Sequence, residues 1–217
     1  GLKGTLCTIQ LPACGDFSET TIQADIPIPG KHMVYNALAG AYIGHLFGLS
    51  PEEIETGIHS LQPVTGRNHL IETDTLMILD DCYNANPASM RASLDVLALA
   101  TGRRVAVMGD MKELGENEEQ LHFETGEYAA RKGIDTIVCI GPLACQMYLG
   151  AKNLASGNTV LHYTGKKEFL HDLPSLFEAG DTVLVKASNS MKFSEIVEAL
   201  TEFEANTKDE IEKGAKQ

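Results

Sequence analysis

Apolar and polar positions change rhythm once along this chain. Up to residue 29 they alternate in part. Thr5–Leu11 (TLCTIQL) and Thr20–Ile28 (TTIQADIPI) read as strands on either side of a Gly15–Asp16 turn signal. A helical period follows after Pro29–Gly30, where Val34, Ala37, Leu38 and Ala41 form an apolar stripe within Lys31–Phe47. A second helix is predicted over Pro51–Leu61. Ser50 caps it, Pro51 takes its first position, and Glu53 stands three residues after the cap, the spacing of a reciprocal capping box. Pro63–Asn68 (PVTGRN) then reads as a linker.

Beyond the linker, short apolar runs alternate with amphipathic ones. Strands are predicted at Thr75–Asp80, Arg104–Met108, Thr136–Ile140, Thr159–His162 and Thr182–Val185. A helix follows each: Pro87–Ala100, Asn117–Lys132, Pro142–Ala155, Lys166–Phe177 and Met191–Phe203. Near-continuous apolar strands in this alternation predict an α/β fold, a mostly parallel sheet with helices on both faces. The β/α stretch before the linker looks like the tail of a second, larger unit, and Glu204–Gln217 reads as a charged tail.

Composition narrows the chemistry. The 217 residues carry 30 acidic against 17 basic side chains, a formal charge of −13. Residues 110–127 hold seven acids and one lysine, and no basic stripe occurs. Nucleic-acid binding needs Lys and Arg to neutralise phosphates, so that class is excluded as an expectation. An anionic small molecule needs only a few placed cations and backbone N–H groups. No apolar run approaches the ~20 residues of a membrane span, so insertion is not expected. Five cysteines (Cys7, Cys14, Cys82, Cys139, Cys145), odd in number and without a Cys-x-x-Cys, point to a reducing, cytoplasmic compartment.

In an open parallel sheet, ligands bind beyond the carboxyl ends of the strands. Those ends here read Asp80-Asp81-Cys82-Tyr83-Asn84-Ala85-Asn86-Pro87, Gly109-Asp110-Met111-Lys112-Glu113-Leu114-Gly115, Gly141-Pro142 and Lys186-Ala187-Ser188-Asn189-Ser190. Asn86–Pro87 is also a good helix start, and Ser188 or Ser190 suits a cap equally well. Two acids at the end of a buried strand exceed what a cap requires; a carboxylate there suits a ribose diol. Lys186 ends an apolar strand, where either an anionic ligand or a structural salt bridge accounts for it. In the first helix His32, Asn36 and Gly40 share one face near its start. Arg67 in the linker suits a phosphate clamp or an ordinary surface position. The remaining histidines, His122 among them, read as surface or packing residues. Neither G-x-x-x-x-G-K-[ST] nor G-x-G-x-x-G is present, and no Cys/His set has zinc spacing.

Taken in order, Gly30-Lys31-His32-x-x-x-Asn36-Ala37-Leu38-Ala39, Gly66-Arg67, Asp80-Asp81-x-Tyr83-Asn84-Ala85-Asn86-Pro87, Gly109-Asp110-Met111-x-Glu113-Leu114-Gly115 and Val185-Lys186-Ala187-Ser188 resemble the Mur ligases of peptidoglycan synthesis. The Asp-Asp-x-Tyr-Asn-Ala-Asn-Pro and Gly-Asp-Met-x-Glu-Leu-Gly segments resemble the branch that joins D-Ala-D-Ala to a UDP-N-acetylmuramoyl-tripeptide. The resemblance implies residues 1–65 as the end of a central ATP-binding domain, 66–203 as a Rossmann-like C-terminal domain, and 204–217 as a tail. It implies ATP and Mg²⁺ as cofactors, the metal ligands lying mainly outside this chain, and a monomeric, cytoplasmic enzyme whose isolated C-terminal part is inactive.

The resemblance also implies roles. His32, Asn36, Arg67, Asp81, Tyr83, Asn84 and Asn86 would bind the nucleotide. Asp110, Lys112, Glu113, Lys186, Ser188 and Asn189 would face the peptide substrates, with Lys186 and Asp110 catalytic. Met33 and Asn189 depart from the family pattern, which commonly has Asn after the His and a basic residue after the Ser. Two other classes stay open at this stage: a non-catalytic nucleotide- or peptide-binding module, and a related folylpolyglutamate-type ligase, against which the Gly-Asp-Met-x-Glu-Leu-Gly run speaks.

Overall fold

A computed structural model describes residues 1–15, 18–154 and 157–202. The expected tail at 204–217, and the ends of two expected helices at Ala155 and Phe203, lie outside the described residues. The chain divides into two compact units, Gly1–Pro63 and Val64 onward.

In the first unit, β1 (Thr5–Leu11) and β2 (Thr20–Ile26) pair antiparallel, with Ile9 opposite Ile22 and Leu11 opposite Thr20. The period of two sends Ile9, Leu11, Ile22, Ala24 and Ile26 to one buried face. The strand expected to reach Ile28 stops at Ile26, because Pro27 and Pro29 cannot donate to a ladder. Helices α1 (Lys31–Leu46) and α2 (Pro51–His59) cover that face through Ala37, Ala41, Ile54 and Ile58. The buried stripe of α1 is Ala37, Ala41, Gly44 and His45, whereas Leu38 is 40% exposed. Small side chains let α1 approach closely, and one residue further round the helix turns Leu38 outward. The capping box of α2 forms as expected. Glu53 N–H donates to Ser50 Oγ at 3.2 Å, and Ser50 N–H donates to the Glu53 carboxylate at 2.7 Å.

The second unit is a six-stranded sheet in the order β3-β4-β8-β5-β6-β7. Its strands are β3 (His69–Glu72), β4 (Met77–Asp80), β5 (Arg104–Gly109), β6 (Thr136–Ile140), β7 (Thr159–Tyr163) and β8 (Thr182–Lys186). All neighbours run parallel except β3, which pairs antiparallel with β4. The short β3 was not expected, and it displaces the start of its neighbour. Thr73–Leu76 forms the turn between them, with the Thr73 hydroxyl donating to Leu76 O and accepting from Leu76 N–H, both at 2.8 Å. Strands β5, β6 and β8 are almost wholly buried, as a sheet covered on both faces requires.

The covering helices are α3 (Pro87–Leu97), α4 (Glu118–Arg131), α5 (Ala144–Leu154), α6 (Lys166–Leu176) and α7 (194–202). Phe169, Phe177 and Phe193 fill one face against Val105, Val107, Val183 and Val185. Helices α4 and α5 cross at glycines: a Cβ on Gly126 would overlap the Met147 carbonyl, and one on Gly150 the Phe123 carbonyl. No helix among the described residues is long and apolar enough to cross a membrane, and all five cysteines are free thiols.

Candidate functional site at the carboxyl edge of the sheet

Strand β8 is last in the chain yet lies between β4 and β5. Its carboxyl end therefore meets the ends of both. Lys186, 2% exposed, places its ammonium 2.5 Å from Asp81 Oδ2 and donates to the Asn84 carbonyl at 3.0 Å. Ser93 Oγ donates to the same carboxylate oxygen at 2.5 Å, and Asn68 N–H donates to Oδ1 at 3.0 Å. A desolvated ammonium is costly, and these short contacts offset the cost only while Asp81 stays in place.

Asp80 is also buried, its carboxylate accepting from Gly66 N–H at 2.9 Å and Cys82 N–H at 3.3 Å. The Cys82 thiol, desolvated and beside that carboxylate, is pushed up to about 12. The acid doublet thus holds the 64–68 segment against β4. Arg67 N–H closes a turn on Val64 O at 2.8 Å, and Tyr83 N–H donates to Gly66 O at 2.9 Å. Gly66, at φ 76°, has Tyr83 Cβ only 3.3 Å from where its own would stand. The segment expected as a linker is therefore a fixed turn.

That turn presents two side chains outward. The Arg67 guanidinium stacks 3.9 Å from the Tyr83 ring centroid, and both residues are exposed. Beside them Thr65, Gly66, Tyr83, Asn189 and Lys192 border a cleft of about 160 Å³. Ligand pockets usually start near 300 Å³, so this cleft alone accepts part of a ligand. Asn84 is exposed, its side-chain oxygen accepting from Ala85 N–H at 2.8 Å. Asn86 caps α3, accepting from Ser89 N–H at 2.8 Å while Asn86 N–H donates to Ser89 Oγ at 3.1 Å.

The loop after β5 forms a second cluster. Asp110 is fully buried, accepting from Ala144 N–H at 2.8 Å and from the Lys112 ammonium at 2.7 Å. Gly141, at φ 123°, is required there, because a Cβ would overlap the Asp110 carboxylate. The Ser188 side chain does not cap the turn that follows it: its hydroxyl accepts from Lys112 N–H at 2.8 Å, and its N–H donates to Asp110 O at 3.1 Å. His122, expected at the surface or in packing, is fully buried. Its Nε2 accepts from Met111 N–H at 2.9 Å and its Nδ1 faces Glu118 O at 2.6 Å. Burial holds its imidazole below the ordinary value.

The expected residues thus separate by geometry. Arg67, Tyr83, Asn84, Glu113, Asn189 and the half-exposed Lys112 reach the surface; Asp110, Lys186 and Ser188 are buried and Asp81 largely so, and their contacts hold the loops. Lys186 and Asp110 are each paired with a side chain of opposite charge, Asp81 and Lys112. His32 and Asn36 belong to the first unit, both on exposed turns of α1, where Asn36 donates to the Met33 sulfur at 3.4 Å. His122, Asp80 and Ser93 are the residues that sequence reasoning missed. Only the acid doublet hinted at one of them. Among the described residues no three His, Cys, Asp or Glu side chains converge to hold a metal ion.

An open α/β sheet with its polar and titratable groups gathered at one carboxyl edge defines a ligand-binding unit of the nucleotide-fold type. Residues 66–189 match the family model of the Mur ligase glutamate ligase domain, and the chain belongs to the Mur ligase family. It is 39% identical over 180 residues to the UDP-N-acetylmuramoyl-tripeptide–D-alanyl-D-alanine ligase of Bacillus subtilis, covering 82% of this chain and 39% of that protein. Against the Escherichia coli enzyme of the same name, identity is 36% over 202 residues, 92% of this chain and 42% of the other. Among solved structures, a MurF from Acinetobacter baumannii superposes with a TM-score of 0.77 at 30% identity, over 91% of this chain and 42% of that one. A MurF from Thermotoga maritima in complex with ADP superposes at 0.72 with 26% identity, over 88% of this chain and 42% of that one. The chain spans about two-fifths of the length of the relatives it matches.

Proposed function

We propose that this chain is the C-terminal part of an ATP-dependent ligase that joins D-Ala-D-Ala to UDP-N-acetylmuramoyl-tripeptide in peptidoglycan synthesis. In this reading residues 1–65 end the central ATP-binding domain, 66–203 are the C-terminal domain and 204–217 a tail. The protein acts as a cytoplasmic monomer. The observation that carries the reading is the carboxyl edge itself: Tyr83, stacked under Arg67, and the Lys112–Glu113 loop, anchored on buried Asp110, lie on the two motifs that resemble this branch of the family.

ATP, when bound, supplies the phosphoryl group that turns the tripeptide carboxylate into an acyl phosphate, with Mg²⁺ held mainly by residues outside this chain. The residues present divide the remaining work. Arg67, pre-oriented by its stack, neutralises phosphate oxygens, while Tyr83 and Asn84 border the nucleotide and Asn86 keeps their loop on α3. Asp81 Oδ1 carries one bond and so retains an acceptor position for a ribose hydroxyl. On the first unit His32 and Asn36 serve the adenine. Lys112 draws in the dipeptide carboxylate, Glu113 its ammonium, and Asn189 completes that side. The dipeptide ammonium first gives up one proton to solvent; the free amine then bonds to the acyl carbon and loses a second proton to solvent as phosphate departs with the C–O electron pair. Lys186, Asp110 and Ser188 position these groups.

Phosphate release by the full-length protein should require ATP, the tripeptide substrate and D-Ala-D-Ala together. The present chain alone should release none. Release without the dipeptide, or robust turnover by this chain, sinks the reading. Arg67→Ala in the full-length protein should lower kcat/KM for ATP by roughly 10- to 100-fold, the worth of a charge-assisted contact. An ATP dependence unchanged within twofold would remove Arg67 from the nucleotide site.

A further inference from the structure

His122 lies on α4, eleven residues from Met111, and both of its ring nitrogens are used in a site without solvent. Nε2 accepts the Met111 N–H, so it carries no proton, and Nδ1–H donates to the Glu118 carbonyl. One neutral tautomer satisfies both contacts, and it does so at the residue between buried Asp110 and half-exposed Lys112. Met111 is itself buried, so its N–H has no water to turn to. Lys112 N–H is held by Ser188 and its ammonium by Asp110, while Glu113 follows at φ 63°, a left-handed conformation that persists only where the surroundings impose it.

We propose that His122 is a positioning residue that clamps the Met111 amide and thereby sets the Lys112–Glu113 loop against the incoming dipeptide. The role rests on reading that loop as the dipeptide side of a ligase. His122 has no path to substrate; it acts through the backbone between two residues that do the facing. The groups acting on its ring are Glu118 on its own helix and Asp110 and Lys112 from the loop. The two acids favour a proton and the lysine opposes it, but burial outweighs them. Protonation would replace the Nε2 acceptor by a second donor facing Met111 N–H and open the clamp. The unfolded imidazole titrates near 6.5, above the folded one, so stability is complete above that pH and falls as pH drops toward the folded value.

Two isosteric amides separate the contacts. His122→Gln puts an oxygen where Nε2 stands and keeps the Met111 bond; His122→Asn reaches only the Nδ1 position and keeps the Glu118 bond. In this chain, His122→Asn should speed Met111 amide exchange about tenfold or more while His122→Gln stays near wild type, the size expected for an orphaned buried donor. In the full-length ligase, His122→Asn should raise KM for D-Ala-D-Ala about tenfold with KM for ATP within twofold, and His122→Gln should restore it. The wild-type kcat/KM for the dipeptide should also fall more steeply below pH 6.5 than that of His122→Gln. Equal behaviour of Gln and Asn, or a parallel rise in both KM values, overturns the positioning role. A wild-type full-length protein inactive on D-Ala-D-Ala defeats the ligase reading instead, and the exchange experiment then judges the clamp by itself.

Discussion

Gly126→Ala is expected to destabilise the second unit by about 3 kcal/mol, the upper end of what overpacking costs. The added methyl would occupy the space of the Met147 carbonyl oxygen and stand against the Met147 backbone on α5. A flexible side chain could yield, but backbone cannot without separating the two helices. The reciprocal contact, Gly150 against the Phe123 carbonyl, shows that both helices meet at their backbones. Gly40→Ala supplies the control. Gly40 lies inside α1 with nothing within 4 Å of its missing Cβ, so alanine should there stabilise the first unit by about 0.5–1 kcal/mol. Amide exchange in β5 and β6 for the first variant, and in α1 for the second, reads the two units separately, since one midpoint need not describe both. A Gly126→Ala loss below about 1 kcal/mol would mean that α4 and α5 do not cross at these glycines.

Lys186→Met should cost about 3–5 kcal/mol, the range for breaking a buried ion pair by removing one partner. The loss comes less from the lysine than from what it leaves. Asp81 keeps a largely buried carboxylate, still bonded to Ser93 and Asn68 N–H, without its counter-charge, and the Asn84 carbonyl loses its donor. The double variant Lys186→Met with Asp81→Asn should recover part of the loss, because the orphaned charge goes with it. Denaturant unfolding followed by exchange in β8 and at Asn68 measures both. A single-variant cost under 1 kcal/mol, or a double variant worse than the sum of the singles, would show that the pair does not hold this edge together.

The two predictions mark where local reading of the sequence stops. Gly126 and Gly40 are both glycines within helices, and nothing in the neighbouring residues tells which one touches backbone. Lys186 at the end of an apolar run admitted an anionic ligand or a salt bridge. Its partner stands 105 residues earlier, and only the insertion of β8 beside β4 shows that the salt bridge is formed. His122 gave no signal at all, because its contact with Met111 depends on how α4 packs beside the loop after β5.

What the sequence determined by itself is what short-range physics dictates. The apolar run Thr136–Ile140 is a buried strand at the expected boundaries, and Ser50 and Asn86 start helices through capping boxes closed within four residues. The runs after β4, β5 and β8 place polar and titratable residues at that edge. The tertiary structure alone decided the strand order, the antiparallel β3, the fixed turn at 64–68 and the division between edge residues that reach the surface and buried ones that hold the loops. A run of apolar residues specifies burial on both faces but not the neighbouring strand, since every parallel strand offers the same backbone ladder. The neighbour is chosen by packing across the whole sheet, and that choice made Lys186 the buried partner of Asp81.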